Sequence, residues 1–307
     1  MAQALDIIQG ALRTIGALEA GETADSDQAN DALLLLNEML ASWSNSHMLV
    51  HYASELVFNL TPNVKDYTIG QNGTAATTFT GSIASTTLTV TSTALNAVTL
   101  GMYLTGSGIT PGTRVSAFLT GAGGAGTYTV DTAQTVASTT ITGTFQRPLR
   151  INSAFVRVAT IDYPVSILSV EDYELIGLKS LNGPWPRALY YQPSFPNGNI
   201  TFWPLPSTGE MHIYADTLLT RFASLSDQIT LPQGYHLAIR YNLAELMMPE
   251  YGRASNDTAD LVSRFAKEGR ALIKRTNMRP QQTARFDPVL LTNQRGDAGF
   301  ITNGGFR

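Results

Sequence analysis

Two stretches, one at each end of the chain, repeat their apolar residues at the helical period. Leu5, Ile8, Leu12 and Ile15 recur every three or four positions and predict a helix over 3–16, with Gly16 placed to stop it in the left-handed conformation. A second helix over 26–46 opens at Asp25 or Ser26, whose short side chains accept the free amide protons of a first turn. Its stripe is Ala29, Leu33, Leu36, Leu40 and Trp43, and Asp27, Asp31 and Glu38 fall on the opposite side. Leu34 departs from this pattern by projecting with the acids. It is either part of a protein-facing surface or one of the lone exposed leucines that folded proteins commonly carry. Toward the other end, Ile239, Leu243 and Leu246 share a face of a helix over 233–248 that Pro249 and Gly252 close. Ser255 is positioned to cap a last helix over 256–276. There Val262, Phe265, Ala266, Gly269, Leu272 and Ile273 form the apolar side, opposite Arg264, Lys267, Arg270, Lys274 and Arg275. That basic face is either merely solvated or in contact with an acidic neighbour.

Between these helices the period is two. Leu56, Phe58 and Leu60 alternate as a strand, Thr61-Pro62-Asn63 turns the chain, and Tyr67 and Ile69 resume it. From Thr74 to Gln146 only Arg114 and Asp131 are charged and 22 of 73 residues are threonine, a β-branched composition that favours strands. The run IASTTLTV from Ile83 is echoed by VASTTITG from Val136, as in paired edges of one β-domain, and the apolar alternation argues against a disordered linker. Strand character with charge returns in RPLRINSAFVRV, and Ser169 to Leu175 suits a short helix. Asn197-Gly198, between Tyr190-Tyr191 and Ile200 to Trp203, predicts a two-residue hairpin turn, with Pro204 and Pro206 putting its end at a sheet edge. Met211, Ile213 and Ala215 alternate in a further strand.

After Thr276 the helical period is lost, which predicts an extended arm over 277–307. Its Phe286, Leu290, Leu291, Phe300 and Phe306 suit docking, either on a partner or along the arm's own subunit.

The expected fold class is α+β, with a helical-bundle core and a small antiparallel β-domain over 1–73 and 148–276. An additional all-β insertion over 74–147 projects from it, its ends close together.

The run ALRTIGALEAGETADSDQANDALLLLNEMLASWS resembles the opening helical hairpin of the head-to-tail adaptor family of tailed bacteriophages, the packaged-DNA-stabilising or head-completion proteins. FPNGNITFWPLP from Phe195 and LPQGYHLAIRYNLAELMMPEYGR from Leu231 are similar to the same family, so the resemblance covers 1–73 and 148–276. The insertion resembles the threonine- and glycine-rich β-modules of other phage structural proteins, and compact adaptors lack it. The resemblance implies a virion protein of the head-to-tail junction, made in the host cytoplasm. Twelve copies would form a ring beneath the portal protein, extend the DNA channel, retain packaged double-stranded DNA without reading its sequence, and seat a downstream tail or nozzle protein. The arm would engage the portal.

Charge changes this picture by giving it polarity. The chain carries −4 overall, but residues 235–307 hold eleven Lys or Arg against seven Asp or Glu, and Glu19 to Glu38 holds six acids and no base. Opposite signs on separate elements can pair within one subunit or between neighbours; the second option suits a ring and makes Asp27, Asp31, Leu34 and Glu38 on one side, and Arg264, Lys267, Arg270, Lys274 and Arg275 on the other, candidate subunit-interface residues. A basic channel wall would hold the phosphate backbone through counterion release, so the acidic second helix or a host loop is expected nearer the lumen than the basic last helix.

Candidate chemistry changes it little. Gly121, Gly123 and Gly126 spell G-x-G-x-x-G, but a strand-like TYTV follows where phosphate binding needs a helix. His47 and His51 stand four apart without a third ligand. No nucleophile-and-base pattern occurs, and Glu171, Asp172 and Asp216 cannot be paired from sequence as acid and base. There is no cysteine, and the longest apolar run, Ala32 to Leu36, is too short to cross a bilayer. The expectation is a soluble, non-enzymatic protein with no cofactor, no metal and no membrane partner. The competing class is a decoration or binding module whose insertion recognises a glycan or another capsid or tail protein. A cell-wall hydrolase would require turnover on peptidoglycan.

Overall fold

A helical hairpin opens the chain: α1 (Ala4–Thr14) and α2 (Ser26–Asn45). The computed structural model describes residues 3–45, 51–218, 222, 224–227, 233–252 and 257–276. Gly16 takes the left-handed conformation at φ +72°, and the stripe Ala29, Leu33, Leu36, Leu40 and Trp43 is buried as its spacing predicts. There follow β1 (His51–Asn59), β2 (Asp66–Ile69), β3 (Ala76–Thr93), β4 (Tyr103–Gly106), β5 (Val115–Phe118), β6 (Gly126–Thr144), β7 (Pro148–Val158) and β8 (Ile161–Leu168). The chain continues through α3 (Val170–Glu174), β9 (Ala188–Gln192), β10 (Gly198–Trp203), β11 (Glu210–Leu218), α4 (Gln233–Met247) and α5 (Asp257–Thr276).

The expected helical-bundle core is not what organises the molecule. Among the described residues, strands account for 39% against 27% for helix. A seven-stranded sheet runs β1-β11-β7-β8-β9-β10-β2, and a second sheet joins β3, β6 and β4 with β5 also on β6. The large sheet is mixed, since β8 and β9 pair in parallel around α3. The two strands at the ends of its strand order, β1 on β11 and β2 on β10, join segments on opposite sides of the insertion. Each segment signals weakly on its own, whereas the helices at both ends signal strongly, and that imbalance is why the periodicity overstates the helices.

The insertion is built on β3 and β6, which pair antiparallel from Ala76↔Thr144 to Val90↔Gly126, with Ile83 opposite Val136 where the two echoed runs meet. Its ends are therefore adjacent. Its apolar core is continuous with that of the large sheet: Ala75, Phe79 and Phe145 join the cluster containing Leu56, Phe58, Tyr67, Ile200, Phe202 and Ile213. Phe58 is fully buried, its ring centroid 5.4 Å from that of Tyr67 and 6.2 Å from that of Phe145.

A second apolar cluster lies among α1, α2, α4 and α5, including Ile8, Leu12, Leu36, Trp43, Ile239, Leu243, Met247 and Val262. The segment after β11 clasps it. The Ala4 amide donates to Asp227 O and the Leu5 amide to Leu225 O, both at 3.0 Å, satisfying two first-turn donors of α1. The Asn37 side chain donates to Phe222 O at 3.1 Å and accepts from its amide at 2.9 Å.

Three local expectations need correction. The β9–β10 hairpin forms with Asn199 opposite Gln192, so its loop is longer than two residues, and neither Asn197 nor Gly198 adopts a positive φ. Pro204 and Pro206 follow β10, which is an interior strand between β9 and β2 and not an edge. Leu246 points outward with 46% exposure, while Asn242 takes a buried position on α4.

At the junction of insertion and host, the Tyr191 hydroxyl donates to Pro148 O, and burial pushes this phenol up to about 12. A folded-state value above the unfolded 10 means this contribution to stability is intact below pH 10 and lost as pH rises toward 12. Absorbance titration is expected to show one tyrosine ionising about two pH units late, and Tyr191→Phe should remove that late step.

Candidate interaction surfaces

The outer face of α2 carries Asp27, Asp31, Leu34 and Glu38, all exposed, with Leu34 at 49%. The helix keeps this face outward because its apolar stripe is held against α1 and α4.

On the other flank of α4, the pair α4–α5 forms an open groove of about 370 Å³. Gly269 makes the close helix approach possible: a Cβ there would lie 2.9 Å from the Cβ of Ala238 and 3.0 Å from its Cα. Leu237, Tyr241, Phe265 and Leu272 line the groove, and Leu237 and Leu272 remain 60% and 51% exposed. Arg275 reaches its lining and the Arg264 guanidinium lies 5.3 Å from the centroid of the Phe265 ring.

The five basic residues singled out on the last helix therefore separate into three groups. Arg264 and Arg275 rim the groove. Arg270 turns inward and donates to Asn242 Oδ1 at 2.7 Å and Glu245 Oε2 at 2.8 Å, so it ties α5 to α4 and is not part of the free basic face. Lys267 and Lys274 are exposed and, at 100° per residue, lie across α5 from Leu272. Asn242, a polar residue on the helix face that Ile239 and Leu243 mark as apolar, anchors this contact by donating to Ala238 O and Ala266 O.

A third surface went unnoticed in sequence. Around α3 and the loop that follows it, Ile167, Val170, Leu175, Leu178 and Leu181 are 40%, 43%, 83%, 59% and 41% exposed. Tyr173 stacks on Tyr190 with centroids 5.2 Å apart and Lys179 covers its ring at 4.7 Å, which steadies the loop while its leucines face solvent. Leu175, Leu178 and Leu181 recur every third residue in a segment that is not helical, so that spacing and their density were the available signal.

Elsewhere, Arg114 and Asp131, the only charges between Thr74 and Gln146, both line a groove against Asn30, Leu34 and Asn37 of α2. On the large sheet His212 stacks on Phe155 at 4.4 Å, with Nδ1 2.7 Å from Glu55 and Nε2 3.2 Å from Glu210 but outside hydrogen-bonding geometry. Phe155 and His212 are direct cross-strand partners, so this cluster reads as a strand-to-strand brace. Beside it, a two-pronged hydrogen bond from Arg157 holds the Asp162 carboxyl below its usual range.

The glycines of the G-x-G-x-x-G run close a loop onto Tyr128. The Tyr128 hydroxyl accepts from the Gly123 amide and donates to Gly124 O, and a Cβ at Gly121 would strike the Tyr128 ring. Asp216 is buried and accepts from Asn152, while Glu171 and Asp172 are exposed on α3. No group of three or more candidate metal ligands occurs among the described residues. The arm with Phe286, Leu290, Leu291, Phe300 and Phe306 lies outside the described residues, as do His47, the side chain of His51 and the expected cap Ser255. No helix among the described residues is long and apolar enough to cross a membrane.

Comparison with models of known protein families and with curated proteins gives no match.

Proposed function

We propose that this chain is a structural subunit of a phage head-to-tail junction, acting as identical copies in a ring that continues the DNA channel below the portal. The observation that carries this reading is the presence of two chemically unlike, complementary surfaces on one subunit: the acidic outer face of α2 with Leu34, and the arginine-rimmed apolar groove of α4–α5. Unlike surfaces that meet between copies make head-to-tail contacts, which close into a ring when the rotation permits. The sequence resemblance supplies the location, the copy number of twelve and the partners, namely portal, downstream tail or nozzle protein and passing DNA. The reading of the insertion as a freestanding glycan- or capsid-binding module has less support, because Phe145 shares its packing with Phe58.

The test is electron microscopy of the full chain with and without portal protein. Twelvefold rings seated on the portal are the expected result. A chain that stays monomeric in the presence of portal, a virion reconstruction placing it away from the junction, or measurable turnover on peptidoglycan would overturn the reading. Within the ring, Arg264 and Lys267 are expected to face away from the bore, for the reason of phosphate attraction.

The leucines around α3 would face the neighbouring tier. Leu175→Ser with Leu178→Ser removes two exposed side chains and is expected to leave the unfolding free energy within about 0.5 kcal/mol per site. Co-sedimentation with the portal or tail partner should fall at least about tenfold. Unchanged co-sedimentation with both would show that this patch contacts neither.

A further inference from the structure

We infer that the α4–α5 groove is the receptor for α2 of a second copy, with Leu34 as the inserted side chain and a matched pair of carboxylates and guanidiniums at its ends. The inference rests on the ring reading above and specifies its lateral contact.

Charge and spacing both identify the occupant. Asp27 and Glu38 stand eleven positions apart on α2, and Arg264 and Arg275 stand eleven positions apart on α5. At 1.5 Å per residue each pair spans about 16 Å along its helix, three turns. Leu34 lies between the acids, four positions before Glu38 and on the same outer face, so an α2 laid along the groove sets it against Phe265 and Leu272. The groove is lined by Arg275 and Glu268 and rimmed by Arg264 over Phe265, which leaves guanidiniums at its two ends, whereas Glu19 to Glu38 carries no base. An acidic helix with one apolar projection is the chemistry that an apolar groove with basic ends accepts, and this chain carries such a helix. A groove on one copy and a helix on the next make the contact heterologous. Each subunit then donates α2 on one side and receives it on the other.

The cysteine-free sequence gives a clean test in the full chain. Leu34→Cys and Leu272→Cys change exposed positions and should leave the fold intact. Mixed under mild oxidation, the two variants are expected to form the mixed disulfide at least about tenfold faster than Leu34→Cys does with itself or with Ser107→Cys on the insertion. Adding Asp27→Lys and Glu38→Lys to the first variant should abolish the excess, and adding Arg264→Glu and Arg275→Glu to the second should restore it. Rescue by the paired reversal is an outcome that mere damage to one helix would not give. Equal cross-linking rates across all pairs would overturn the proposal, and if rings were still seen by microscopy the ring reading would stand with a different interface. Preferential cross-linking with rescue, in particles that never close on the portal, would instead keep this contact and overturn the ring.

Discussion

Excising residues 74–147 and joining Gly73 to Pro148 is expected to leave a chain that does not accumulate as folded, soluble protein. On sequence grounds the opposite follows, since an inserted module with adjacent ends is removable in principle. Here the module's base is part of the host. Removing it uncovers Phe58 and Tyr67 on the large sheet and deletes Ala75, Phe79 and Phe145, which share their cluster. At about 1.5–3 kcal/mol for each large apolar side chain returned to water, uncovering even a few of them equals a typical domain's whole margin of about 5–15 kcal/mol. The measurement is the soluble fraction on expression with far-ultraviolet circular dichroism of whatever is recovered. Soluble protein with an undiminished helical signal and a cooperative melt would show that host and insertion fold independently.

Phe58→Ala is expected to cost about 3–5 kcal/mol of unfolding free energy, read from the midpoint of a urea titration. The side chain is fully buried and touches aromatic partners from both bodies, Tyr67 of the large sheet and Phe145 of the insertion. Tyr67 cannot follow the retreating ring without breaking its pairing with Ile200, so the cavity stays open on that side and its cost adds to the lost burial. Phe58→Leu keeps most of the volume and should cost less than half as much. A loss below about 1 kcal/mol for the alanine variant would mean that the two bodies separate at this seam, because complete collapse of such a site is otherwise rare.

The helices were legible because each states its own period. Leu33, Leu36 and Leu40 are buried where the spacing puts them, and Leu34 is exposed where the spacing excludes it. The pairing of the echoed runs was also legible, with Ile83 opposite Val136. The seven-stranded sheet was not, because pairs such as Leu56 with Ile213 join positions far apart in the chain and leave no local trace. Of the candidate interface, the acids and most of the bases could be read from the sequence. The groove between them could not, for it depends on Gly269 closing against Ala238 and on Asn242 drawing Arg270 inward. The loop leucines at 175, 178 and 181 were missed because nothing in their spacing distinguishes a docking surface from a buried turn.

The packing of α1 and α2 on α4 sets the order in which the nascent chain can become native. The first helix ends at Thr14 and α4 begins at Gln233. At about 5–20 residues per second, the ribosome needs roughly 10–40 s to deliver the partner that covers Ile8, Leu12 and Leu36. Throughout that interval the leading hairpin has emerged with its greasy side unclaimed, while the middle of the chain completes its strands behind it. A hairpin that must wait this way for α4 gains from chaperone shelter during synthesis, and the helical cluster is the last part of the fold to close.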